Sequence, residues 1–273
     1  MEVAGFEFNG YSRGGPVFNH SDGVKGNLAL GGEVQKYRLG NEGDNGIEIN
    51  LARAFDTGGV KWKVNYMPAK WGSGDISTEQ AYVEMSGLDF APQAKFWAGQ
   101  RRLRIQDVHI VDYFLMNYGD NQGAGMTDLP IGGMKLGVGV FTGEKFDGNL
   151  PKNVKARRIN ADLSDIQTNP GGSLRVLLTA VSGSGQVNGG SGSGISVSHN
   201  QKDFFVKGLS NALFLQTSRG HARIDGEFES IDGKSADKRV TRIADSIGWQ
   251  LGRFGGQALI GYQTNKADIT GVE

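Results

Sequence analysis

The 273 residues contain no cysteine, so neither a disulfide scaffold nor a thiolate metal site can be built from them. Proline is scarce at six, and no stretch approaches the run of about eighteen apolar residues that a membrane-spanning helix needs. A net charge is lacking too: 29 Lys+Arg stand against 29 Asp+Glu, so the field of the whole molecule gives no reason to expect nucleic acid as a partner. His20, His109, His199 and His221 have none of the paired spacing of a zinc site, and no metal or other cofactor is expected. Residues 1–10 (MEVAGFEFNG) lack the basic segment and apolar core of an export signal.

What is abundant is glycine. Its 44 copies follow no collagen period and suit short strands joined by tight turns. Strict alternation dominates the chain. Val60, Trp62, Val64 and Tyr66 share one face against Lys61, Lys63 and Asn65; Met134, Leu136, Val138 and Val140 oppose Lys135, Gly137 and Gly139. At 221–229, Ala222, Ile224 and Phe228 alternate with His221, Arg223, Asp225, Glu227 and Glu229. Weaker alternation at 6–13, 47–51, 158–165, 174–181, 247–251 and 257–263 is separated by Gly/Asn/Asp/Ser clusters such as 41–46 and 183–194. One strand with its connection per roughly 20–25 residues predicts about ten or eleven strands. A soluble β-sandwich or a Gly-rich solenoid would also alternate. The charged faces favour an antiparallel transmembrane β-barrel, which turns apolar residues to lipid and charged ones to a wet lumen.

Three stretches carry a family resemblance: Phe6-Glu-Phe-Asn-Gly-Tyr-Ser-Arg13, Lys36-Tyr-Arg-Leu-Gly-Asn-Glu42, and Trp97-Ala-Gly-Gln-Arg101 followed by Asp107-Val-His-Ile-Val-Asp112 and Gly123-Ala-Gly125. With a shorter echo at Asn169-Pro-Gly-Gly172, they resemble the opening strand, constriction and turns of maltoporin and the related carbohydrate porins, in order, over about the first 172 residues. The resemblance implies a sugar-porin barrel of about eighteen strands and roughly 400 residues in the bacterial outer membrane, assembled as a homotrimer. Residues 1–273 would then be a single barrel domain, incomplete at its C-terminus because the chain stops at Thr270-Gly-Val-Glu273, with 106–126 as an inward-folded constriction loop.

The implied activity is passive, selective diffusion of oligosaccharides such as maltodextrins by a channel, with no enzymatic step. Sugar rings have apolar faces and a hydroxyl rim, so aromatic rings stack on the faces while charged side chains bond the rim. The resemblance implies an aromatic path of Tyr11, Trp71 and Phe114, with Trp71 offered to a neighbouring subunit, and an ionic track of Arg13, Arg38, Glu48, Asp107 and Asp112. Tyr11 also shares its strand face with Glu7, Asn9 and Arg13, which points it to the lumen.

The chain departs from the family at several places. Gly46 stands where the path has a tyrosine, Leu209 where it has a phenylalanine, and Glu79 and Ile105 where the track has arginines; Phe114 lacks the hydroxyl of a tyrosine. Arg101, Arg102 and Arg104 crowd the constriction strand, and alternation puts Arg101 opposite to the other two without saying which face is wet. The thinned aromatic path and these arginines motivate the alternative of a general or anion-leaning diffusion porin. A hydrolase built on Ser198 and His199 is disfavoured because strand neighbours face opposite ways. The Ser/Gly stretch 182–194 lacks the lysine and helix of a phosphate cradle and reads as a loop or turn.

Overall fold

The computed structural model describes residues 2–3, 5–15, 45–111, 113–142, 155–184, 191–220, 222 and 239–265. They form fourteen strands: β1 (Glu2–Val3), β2 (Phe6–Arg13), β3 (Gly46–Thr57), β4 (Val60–Trp71), β5 (Ser77–Leu88), β6 (Ala91–Val108), β7 (Tyr113–Ile131), β8 (Met134–Thr142), β9 (Lys155–Asn169), β10 (Gly172–Ser184), β11 (Ser191–Lys202), β12 (Leu209–Gly220), β13 (Arg239–Leu251) and β14 (Phe254–Asn265). Each strand pairs antiparallel with its sequence neighbours in one uninterrupted meander, and β1 and β14 are not paired with each other. A single antiparallel meander of this kind is what the wall of the expected β-barrel requires.

Fourteen strands exceed the ten or eleven expected because the connections at one end are very short. Gly58 and Gly59 join β3 to β4 with φ of 63° and 87°, and Gly132 and Gly133 join β7 to β8 with 55° and 85°. Two consecutive left-handed residues make the tight hairpin turn whose twist matches the strands, and glycine adopts it freely. The stretch 182–194 also differs from the reading as a loop: 182–184 complete β10 and 191–194 open β11. Ladders to β10 and β12 pair the backbone of 192–194 on both sides, which overrides the weak strand preference of Ser and Gly. The alternating segment 221–229 lies outside the described residues except for Ala222.

Burial along the strands is inverted relative to a soluble protein. Ile159, Leu178, Leu215, Ile243 and Ile260 face outward and are exposed, while Asn160, Asp162, Ser198, Gln216 and Arg242 face inward and are buried. Among the described residues no helix is long and apolar enough to cross a membrane.

The inner face is covered by part of its own chain. β6 pairs with β5 only as far as Ala81↔Gln100, and β7 pairs with β8 only from Gln122↔Thr142, yet β6 and β7 stay paired with each other to Val108↔Tyr113. Residues 101–121 therefore form a hairpin, tipped by a 3-10 turn at His109–Val111, that leaves the wall. Of the segment 106–126, residues 106–121 belong to this hairpin and 122–126 pair with β8. The hairpin lies across the far side of the sheet: the Gln216 side-chain amide donates to the Leu115 carbonyl at 2.6 Å, that of Gln106 to Ser198 Oγ at 3.3 Å, and Ile110 N–H to Gln257 Oε1 at 3.0 Å. Between them Leu115 and Met116 pack with Trp97, Val108, Phe141, Leu177, Phe214 and Ala244. Each of the larger side chains contributes about 1.5–3 kcal/mol on burial, so this inward cluster is what seats the hairpin.

Candidate functional site

Registry brings four of the expected residues onto one patch of the inner face. Tyr11 lies opposite Glu48 and Arg13 opposite Gly46, while on the next strand Glu48 lies opposite Ala69 and Gly46 opposite Trp71. Cross-strand partners share a face, so Tyr11, Arg13, Glu48 and Trp71 converge at the ends of β2, β3 and β4 that lead into the longer connections. The Tyr11 and Trp71 ring centroids are 6.5 Å apart, and the Arg13 guanidinium carbon sits 4.8 Å from the Trp71 ring and 5.9 Å from that of Tyr11. Tyr11 remains 47% exposed, so its face is available to a solute.

Trp71 closes over the adjacent strand β3. In this structure its indole lies over Gly46 of its own chain, where any Cβ would collide with the ring. The close approach of residues 46 and 71 comes from the pairing of β3 with β4 and is not visible in spacing along the chain.

A second cluster forms at the root of the hairpin. Gln100 Nε2 donates to the Thr78 and Glu79 carbonyls at 2.7 and 3.2 Å, capping the wall ladder where β6 turns inward. The Arg102 backbone N–H then donates to Gln80 Oε1 at 3.1 Å, and its guanidinium forks, one nitrogen to Glu48 at 2.7 Å and the other to Glu79. Ser77 Oγ donates to the other Glu79 oxygen at 2.6 Å. Arg101 pairs with Glu84 at 3.0 Å and stacks on Tyr82 and Trp97, at 4.6 and 5.5 Å. Alternation could not assign these arginines because the strand leaves the sheet plane at this point, and both find partners on the inner side.

The remaining expected residues are dispersed. Asp107 lies near the hairpin tip, with its carboxylate 3.9 Å from the ring of His109, and its backbone pairs with that of Phe114. Arg38 and Asp112 lie outside the described residues. Ser198 is buried and accepts from Gln106, whereas His199 faces the other side and bonds Thr168 at 2.8 Å. Among the described residues no group of His, Asp and Glu is arranged to hold a metal ion.

Sequence reasoning also missed the polar network of the covered far wall. Arg242 donates to Gln263 at 2.6 Å and to Gln216 at 3.3 Å, Thr179 donates to Asn160 at 2.7 Å, and Arg175 grips Asp162 with two bonds of 2.9 and 3.1 Å. Only the period-2 polar positions of β9, β10, β12 and β13 hinted at it.

The LamB porin family model matches residues 6–272. Maltoporins of two Vibrio cholerae serotype O1 strains, El Tor Inaba N16961 and Classical Ogawa 395, are each 36% identical over 143 residues, which is 48% of this chain and 33% of theirs. The matched part therefore spans about a third of these curated relatives. Among solved structures, a mutant of the Rh. blastica porin superposes with a TM-score of 0.55 at 14% identity, covering 94% of this chain and 83% of that one, a likeness of fold.

Proposed function

The chain belongs to the LamB porin family and is an outer-membrane β-barrel protein, and from that premise we propose that it forms a channel for passive, selective diffusion of carbohydrates. The observation that carries this reading is the open Tyr11–Trp71–Arg13 stack with Glu48 beside it. Two rings offer flat apolar surface to a sugar face, and the neighbouring guanidinium and carboxylate exchange hydrogen bonds with its hydroxyl rim. Bacterial barrels keep short turns on the periplasmic side, so the stack stands near the outer mouth, where an incoming oligosaccharide arrives first. Hairpin 101–121 is the constriction, and weak sites in series let a solute bind and also leave.

The 36% identity to maltoporins over half of the chain supports an oligosaccharide of the maltodextrin type. The family's homotrimer is part of the same reading, as is the absence of enzymatic chemistry. An anion-leaning porin is less well supported, because Arg101 and Arg102, two of the three arginines that together with the thinned aromatic path suggested it, are each paired with carboxylates.

Planar-bilayer recording from the complete gene product, titrated with maltose, longer maltodextrins, sucrose and a β-glucoside, tests the proposal. Saturable block by at least one sugar is expected, and Tyr11→Ala should raise its half-blocking concentration about fivefold. Open current that none of these sugars blocks would reject carbohydrate selectivity.

A further inference from the structure

Two departures from the resembled family meet at the root of the hairpin. Glu79 stands where the ionic track was expected to carry an arginine, and Arg102, on the strand whose wet face the sequence left open, reaches across to it. The guanidinium lies between Glu48 and Glu79, and the backbone of the same residue is held by Gln80. The side chains of Arg102, Glu48 and Glu79 are 16%, 18% and 8% exposed, so the triad is mostly shielded but still reached by water.

We propose that Arg102 is a selectivity-determining residue, which sets the charge that ions and solutes meet where the hairpin leaves the wall. One guanidinium is shared by two carboxylates, so removing the guanidinium makes the local field more negative and removing either carboxylate makes it more positive. The fork also fixes that charge in space, since a planar guanidinium bonds two separate acceptors at once, whereas lysine acts as a point charge. Arg102 thereby links Glu48, beside the aromatic stack, to the base of the constriction.

The inference rests on the reading of the inner face as a wetted channel, but its test needs no sugar. The cation-to-anion permeability ratio is read from the reversal potential of the complete gene product across a KCl gradient. Arg102→Gln removes one positive charge and should raise the ratio about sevenfold, because one unit charge about 7 Å away in water raises the local cation concentration about threefold and lowers that of anions by the same factor. Glu79→Gln and Glu48→Gln each remove one negative charge and should lower it by a similar factor. Arg102→Lys keeps the charge and should stay near the native ratio. A role confined to bracing the hairpin would move the arginine and glutamate variants in the same direction, and that result, or an unchanged ratio in all four, would overturn the proposal. Opposite shifts in a channel that no sugar blocks would retain the charge role of Arg102 and reject carbohydrate selectivity.

Discussion

The two sides of the inner face are built from similar polar residues and treated in opposite ways. On β9 to β13, Asn160, Thr179, Gln216 and Arg242 are buried and bonded to one another or, for Gln216, to the hairpin backbone. On β2 to β4, Glu7, Tyr11 and Lys63 stay open, and the Lys63–Glu7 pair at 2.7 Å stands in solvent, its side chains 36% and 46% exposed. Polarity of a strand face therefore does not by itself mark a solute path. What separates the two sides is the placement of residues 101–121, which cover one and leave the other open.

The largest effect should come from unseating the hairpin. Leu115→Asp puts a carboxylate into the cluster of Met116, Phe141, Leu177 and Phe214 and should cost about 3 kcal/mol or more. It should appear as a lower unfolding temperature by gel mobility and a larger, noisier single-channel conductance. If conductance and stability are unchanged, the contrast between a covered and an open side fails. A smaller change is expected from Trp71→Ala, which removes half of the stack: sugar block should weaken about tenfold with little loss of stability, measured by current titration and thermal unfolding on the same preparation. Least of all, Lys63→Ala breaks an exposed ion pair and should alter stability by under about 1 kcal/mol and leave sugar block within about twofold of native.

The fold was largely legible in sequence. Alternation at 60–67 and 134–140 gave both strand and face, and charged faces distinguished a barrel wall from a sandwich. Strand number was underestimated because Gly58-Gly59 and Gly132-Gly133 close hairpins in two residues and because β11 is rich in Ser and Gly, with little apolar contrast to alternate. Of the site, Tyr11, Arg13, Glu48 and Trp71 were named and are brought together by strand register. The role of Gly46 as the floor beneath Trp71 could not be read, since residues 46 and 71 meet only through pairing of β3 with β4. Nor could the partners of Arg102, because face assignment by alternation holds only while a strand stays in its sheet, and β6 leaves the wall after Gln100.

Because the 273 residues contain no cysteine, one introduced thiol on each side reports directly on which side is wetted. Tyr11→Cys and Thr179→Cys would be exposed to a charged, membrane-impermeant thiol reagent while channel current is recorded, with and without a blocking sugar. The account predicts that the thiol at position 11 reacts, lowers the current and is protected by sugar, whereas the thiol at position 179, buried beside Asn160, stays inert. Rapid, current-reducing reaction at 179 with none at 11 would contradict it and put the solute path on the other wall.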